Sequence, residues 1–195
     1  MKYDSAIHHR RSIRLRGHDY AQDGFYFVTI CCHQRQPLFG EIAEGKMMLN
    51  AAGGIVNTVW RELPNHYPGI TLGEYVVMPN HFHGIIHIVG AQFIAPEFST
   101  THQGVIKQGA LKQGTLKQGT LKQGAMNRAP TVGNIIRAFK ARCTYAINTI
   151  NESAGAPIWQ RNYYEHVIRN EESYLKIAEY IQTNPLRWQN DRYYL

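Results

Sequence analysis

Two stretches rich in β-branched and aromatic residues, Ile70 to Val77 and Phe82 to Val89, flank the tripeptide Met78-Pro79-Asn80. Proline and asparagine between β-branched runs mark a tight turn, so the runs pair as neighbouring strands, and the turn fixes where the second strand starts. That strand opens with His81-Phe82-His83. Alternate side chains of a strand share a face, which puts the two imidazoles on one side with Cα atoms about 6.5 Å apart. Imidazoles so placed can close on one metal ion through bonds of about 2.1 Å. His87 has the same parity but lies about 13 Å along the strand from His83, too far to join that ion. A third protein ligand must come from elsewhere.

The rest of the chain supplies a sheet and helices for this hairpin to join. Residues 25–33, Phe-Tyr-Phe-Val-Thr-Ile-Cys-Cys-His, read as a buried strand. Glu41-Ile42-Ala43 and Lys46 to Leu49 around Glu44-Gly45 read as a small hairpin, with Asn50 as N-cap of a helix carrying Ile55, Val56, Val59, Trp60 and Leu63 on one stripe. Pro64 and Pro68 are expected to end it. Thr131 caps a second helix through Val132, Ile135, Ile136, Phe139, Cys143 and Ile147, with Arg137, Lys140 and Arg142 on its other face. An extended segment is expected from Ile158 to Ile168, and a last helix from Glu171 to Thr183 with Tyr174, Ile177, Ala178 and Ile181 facing the sheet. The order implies one α+β domain over residues 1–195, an antiparallel sheet covered mainly on one face.

One segment breaks this pattern. From Thr101 to Ala125 a five-residue frame recurs, ending in Leu-Lys-Gln-Gly-Thr, Leu-Lys-Gln-Gly-Thr and Leu-Lys-Gln-Gly-Ala. Period five matches neither helix nor strand. A glycine in every unit leaves little apolar surface to offset an ordering cost of about 1–2 kcal/mol per residue. Residues from about 92 to 127 therefore read as a low-complexity loop, a solvated tether whose lysines can brush nucleic acid.

The formal charge is +7 with ten further histidines, and Arg10, Arg11, Arg14 and Arg16 crowd one short segment. Such a balance favours a polyanionic partner and salt-dependent binding. No apolar run reaches the roughly 18 residues of a membrane span, no signal-peptide core follows the N-terminus, and three cysteines, two adjacent, suit a reducing cytosol. A cytoplasmic protein without a membrane partner is expected.

Beside the apolar stripe of the last helix, Lys176, Tyr180 and Asn184 stack at spacings of four. Asn184-Pro185 ends that helix, where an asparagine oxygen can coordinate a hard cation such as Mg²⁺. A tyrosine hydroxyl, with a reference pKa near 10, is a poor nucleophile at neutral pH, and a metal that neutralises a phosphate oxygen offsets that weakness. Lys176 could stabilise the phenolate or the phosphate. Read alone, Tyr180 is a core-edge aromatic among twelve tyrosines and Asn184 a helix C-terminal residue.

Three ordered motifs change that balance: Met78-Pro79-Asn80-His81-Phe82-His83-Gly84, Trp159-Gln160-Arg161-Asn162-Tyr163-Tyr164-Glu165-His166-Val167-Ile168-Arg169, and Tyr180-Ile181-Gln182-Thr183-Asn184-Pro185. Together they resemble the REP-associated tyrosine transposases, members of the HUH single-strand nucleases named for the His-hydrophobic-His strand. The resemblance covers nearly the whole chain outside the repeat loop. It implies a ferredoxin-like fold, His81 and His83 as metal ligands, Tyr180 as nucleophile and Asn184 in the place of the polar third ligand. Related insertion-sequence transposases carry a glutamine there. The repeat falls between the metal-bearing strand and the basic helix, and the chain stops at Leu195, leaving little room for a separate DNA-recognition domain.

The reading that follows is a nuclease and strand transferase using Mg²⁺ or Mn²⁺ on single-stranded DNA and DNA hairpins through a covalent 5′-phosphotyrosine. Phosphate contacts are expected from Arg11, Arg14, Arg16, Arg137, Lys140, Arg161 and Lys176, and base stacking from Trp159 or Tyr163. Energy is conserved in the covalent link, and no P-loop glycine pattern is present. Two alternatives stand beside it: a hairpin-binding module without cleavage, and a zinc hydrolase, which lacks a His-Glu-x-x-His motif. Monomer and homodimer are both compatible with the sequence.

Overall fold

The computed structural model of the chain describes residues 23–89 and 130–194. Arg11, Arg14, Arg16 and the repeat segment at 92–127 lie outside the described residues.

Strand β1 (Gly24–Cys31) is followed by a small hairpin, β2 (Gly40–Ala43) and β3 (Lys46–Leu49), and by helix α1 (Ala51–Arg61) with a one-turn helix α2 (Leu63–His66). Then come β4 (Ile70–Met78), β5 (His81–Ile88), α3 (Val132–Ile150), β6 (Tyr164–Ile168) and α4 (Glu171–Thr183), and a 3₁₀ segment, Pro185–Asn190. The main sheet has the order β4-β5-β1-β6, antiparallel throughout. Without the small hairpin, β1-α1-β4-β5-α3-β6 is the split β-α-β arrangement of a ferredoxin-like sandwich.

The caps follow the local chemistry. Asn50 accepts from the Gly53 N–H at 2.9 Å, Thr131 from the Asn134 N–H at 3.3 Å and Asn170 from the Ser173 N–H at 2.8 Å. Glu171 and Glu172 sit in the first turn of α4, where negative charge suits the helix dipole.

Strand parity then sorts the side chains between two cores. Tyr26, Val28 and Ile30 of β1 and Phe82, Ile86 and Ile88 of β5 pack under α1 and α3 with Val56, Trp60, Ile136 and Phe139. Gly84 lies at the centre of this layer, where a Cβ would meet the Trp60 ring at 2.6 Å and the Phe82 ring at 2.9 Å. A side chain there would lift Trp60 off the sheet. The opposite parity, Phe27 and Ile85 with Ile168, meets Ile177 and Ile181 of α4. The sheet expected to be covered mainly on one face thus carries its larger core there, and α4 closes the other face, which is the face of His81 and His83.

Two boundaries differ from the sequence expectation. Helix α1 stops at Arg61, and Pro64 sits in the first turn of α2 instead of ending α1. Proline is tolerated there because a first-turn N–H has no intrahelical partner. The segment expected to be extended from Ile158 is a strand only over Tyr164–Ile168; upstream, Trp159 makes a single bridge to Cys32. Trp159 is held by packing against Phe39 and Phe139, not by a ladder, which makes it a core residue.

Candidate metal and tyrosine site

The site begins at the β4–β5 turn. Asn80 is buried, and its side chain donates to the Tyr193 carbonyl at 2.8 Å, leaving Oδ1 to face His81 Nδ1 at 2.8 Å. A carboxamide oxygen only accepts, so the proton of His81 lies on Nδ1 and its Nε2 is the acceptor. On the next strand Thr29 pairs directly with His83, and its hydroxyl lies 2.8 Å from His83 Nδ1. The two Nε2 atoms then face each other at 3.0 Å.

Burial holds both rings neutral. His81 is pushed down to about 4 by burial, with the nearby Arg192 and Arg35 charges adding to the effect and Asp191 opposing it. His83 is pushed well below the ordinary histidine value by burial, then by His81 and Arg192. Neutral imidazoles with oriented lone pairs are what a cation requires of histidine ligands.

Helix α4 delivers the second half. Ile177 and Ile181 anchor it on the sheet, so Tyr180 points along the sheet surface toward the histidines. Its hydroxyl lies 3.2 Å from His83 Nε2 and donates to Asp191 Oδ2 at 3.2 Å. Burial, and then the Asp191 charge, raises the Tyr180 phenol to about 12. Asn184, four residues on and fully buried, donates from Nδ2 to Asp191 Oδ2 at 2.8 Å. Its Oδ1 is buried with no hydrogen-bond partner among the described residues.

Asp191 is the residue that the sequence reading missed. It follows the 3₁₀ segment in a turn held by its own Oδ1, which accepts from the Tyr193 N–H at 2.7 Å. A ligand atom from each of His81, His83 and Asp191 lies within 4.8 Å of the others. The set fits a divalent cation: two oriented imidazoles and one carboxylate, a mixed nitrogen and oxygen shell without thiolate, while Asn184 turns its Nδ2 to Asp191 and keeps its Oδ1 buried without a partner among the described residues. The available signal in the sequence was an aspartate seven residues after Asn184, followed at once by Arg192-Tyr193-Tyr194.

The other expected residues are placed differently. His87 stands apart from the pair, stacked on Phe25 at 4.1 Å and bonded to Asp23 at 3.1 Å. Lys140 donates to the carbonyls of Gln160 at 2.6 Å and Arg161 at 3.0 Å, tying the segment before β6 to α3, and burial lowers its pKa. Lys176 turns away from Tyr180 to Glu172, at 2.6 Å on the exposed surface. Arg137 is exposed and bonds Asn134, Arg161 is exposed, and Tyr163 bonds Glu165 at 2.8 Å. No helix among the described residues is long and apolar enough to cross a membrane.

No protein-family model matches the chain. A Haemophilus influenzae protein, described as an uncharacterized protein, is 41% identical over 198 residues, covering 100% of this chain and 98% of that one. A solved structure of a REP-associated tyrosine transposase bound to a REP hairpin superposes with a TM-score of 0.53 at 19% identity, covering 90% of this chain and 74% of that one. The chain belongs to one family with the Haemophilus influenzae protein, and its fold is that of the REP-associated tyrosine transposase.

Proposed function

We propose that the protein is a metal-dependent single-strand DNA nuclease and strand transferase, a transposase acting at hairpin-type repeats through Tyr180. The observation that carries this reading is the Tyr180 hydroxyl 3.2 Å from His83 Nε2, at the edge of the His81, His83 and Asp191 cluster. The three motifs that resemble the REP-associated tyrosine transposases, and the likeness of fold to one of them, support the same reading.

His81, His83 and Asp191 would hold the ion, with Asn184 Oδ1 as the further oxygen ligand; hard oxygen donors beside imidazole suit Mg²⁺ or Mn²⁺. When bound, such an ion neutralises charge on the scissile phosphate and stabilises the departing sugar oxygen. Tyr180 supplies the nucleophile. Its phenolic proton passes to the Asp191 carboxylate, its oxygen bonds to phosphorus, and the bond from phosphorus to the 3′ oxygen breaks. The products are a 5′-phosphotyrosine and a 3′ oxygen that takes up a proton as a hydroxyl. The reverse reaction on another 3′ end joins strands without a nucleotide cofactor. Arg11, Arg14, Arg16, Arg137, Lys140, Arg161 and Lys176 are the proposed contacts along the DNA backbone, Lys140 and Lys176 by exchanging their present partners.

The test is a covalent-adduct assay with hairpin DNA carrying a single-stranded tail and Mn²⁺, read after denaturation. The unaltered chain forms a denaturant-stable adduct, and Tyr180→Phe forms none while still binding the hairpin. An adduct that survives in Tyr180→Phe rejects the assignment. A salt-sensitive complex that denaturant dissolves in both proteins marks the chain as a binding module instead.

A further inference from the structure

Two arginines outside the three motifs converge on one ring beside the site. The guanidinium carbon of Arg35 lies 5.6 Å from the centre of the Tyr193 ring, and that of Arg192 lies 4.6 Å from the same centre and 5.9 Å from the Tyr164 ring. The Arg192 side chain also donates to the Tyr193 hydroxyl. Tyr193 itself packs on His81, ring centres 4.6 Å apart, so the two cations stand at the rim of the histidine cluster.

Neither arginine makes an ion pair with a carboxylate among the described residues. Asp191 precedes Arg192 directly, yet its oxygens are taken by Tyr180, Asn184 and the Tyr193 N–H. Tyr193 is buried, and stacking on its ring contributes about 0.5–2 kcal/mol per cation, which the gathering of two like charges opposes. The backbone adds a further cost. Gln34 and Arg35 hold φ at 53° and 57°, two successive non-glycine residues in the left-handed region, at about 1–3 kcal/mol each. The Arg35 side chain makes no hydrogen bond among the described residues that would explain such a turn. The turn is closed by the Arg35 N–H donating to the Cys32 carbonyl at 3.0 Å and the Gln36 N–H to the His33 carbonyl at 3.2 Å, and it sets Arg35 against Tyr193 with no carboxylate among the described residues to meet its charge.

We propose that Arg35 and Arg192, braced on Tyr193, form a two-guanidinium seat for a phosphodiester of the DNA strand next to the one at Tyr180. The inference rests on the nuclease reading and names where that strand leaves the site. A planar fork presents paired N–H donors to two phosphate oxygens, which lysine cannot do, and both positions carry arginine.

The test measures binding of (dT)12 to the full chain carrying Tyr180→Phe, over a series of KCl concentrations. Removing one cation that neutralises a phosphate of a single strand lowers the slope of log K against log salt by about 0.7. Arg35→Gln with Arg192→Gln lowers the slope by about 1.4 in total, with Mn²⁺ affinity held within about twofold. Arg61→Gln, on the α1 side of the sheet, leaves the slope unchanged. If the double variant does not fold, Arg35→Gln alone serves, and its slope falls by about 0.7. An unchanged slope in a folded variant overturns the seat, and does so even where the Tyr180 adduct forms normally and the nuclease reading stands. A chain that binds (dT)12 at no salt concentration overturns both.

Discussion

Asp191 accepts a hydrogen bond from the Tyr180 hydroxyl at 3.2 Å while its carboxylate lies in one cluster with His81 and His83. One side chain is thereby shared between the proposed nucleophile and the proposed cation. Asp191→Asn keeps the size but removes the charge and one of the two acceptor oxygens that serve Tyr180, Asn184 and the Tyr193 N–H. Mn²⁺ affinity by calorimetry falls at least about tenfold, by analogy with losses seen when metal-site partners are removed, with the fold unchanged by circular dichroism. Equal affinity in the variant removes Asp191 from the metal shell.

Asn184 tests the other oxygen. Its buried Oδ1 lacks a partner among the described residues, so the metal-free protein loses little by Asn184→Ala apart from the bond to Asp191. The rise in Tm on adding Mn²⁺ shrinks in the variant, because stabilisation by a ligand follows its affinity for the native state. A full rise in Asn184→Ala makes Asn184 a helix C-terminal residue and nothing more.

Thr29→Val isolates the outer partner of His83. Valine matches threonine in shape but offers nothing to Nδ1, so the imidazole loses its fixed tautomer and orientation. Mn²⁺ binding weakens about 10- to 100-fold. An unchanged affinity shows that Phe27 packing, with ring centres 5.4 Å apart, holds His83 without the hydroxyl.

The lowered histidines predict a direction with pH. His81 titrates near 4 in the metal-free native state and near the ordinary 6.5 when unfolded. The unfolded chain binds more protons between these values, so the stability contribution is complete above about 6.5 and is lost as pH falls toward 4. Chemical denaturation at pH 7 and pH 4.5 shows this loss, and His81→Gln reduces it. A His81→Gln protein with the full loss assigns the acid sensitivity elsewhere.

Gly84→Ala probes the frame beneath the site. The added methyl meets Trp60 and Phe82 rings inside 3.0 Å, and overpacking of this kind costs about 1–3 kcal/mol. Thermal unfolding shows a lower Tm; an unchanged Tm means that Trp60 gives way without cost.

The parts of this protein that were legible in its sequence are those whose side chains repeat. The β4–β5 turn, the parity of His81 and His83, and the stripe from Tyr174 to Ile181 follow from periods of two and 3.6, and each stands where that period puts it. Asp191 and Arg35 were not legible. Asp191 lies in an irregular turn after a 3₁₀ segment, and Arg35 in a left-handed turn after β1, where no period relates a residue to the face it joins. Only the folded chain brings them to the histidines. Trp159 shows the converse limit: an aromatic in a motif reads either as a stacking platform or as core, and its burial against Phe39 decides for core.

The most direct test is to digest the denatured protein–DNA adduct and map the linked nucleotide by mass spectrometry. The expected product is one peptide, containing Tyr180, joined through a 5′ phosphate, with a polymerase-extendable 3′-hydroxyl on the released strand. Linkage to any other residue, or through a 3′ phosphate, contradicts the assignment of Tyr180 as the nucleophile.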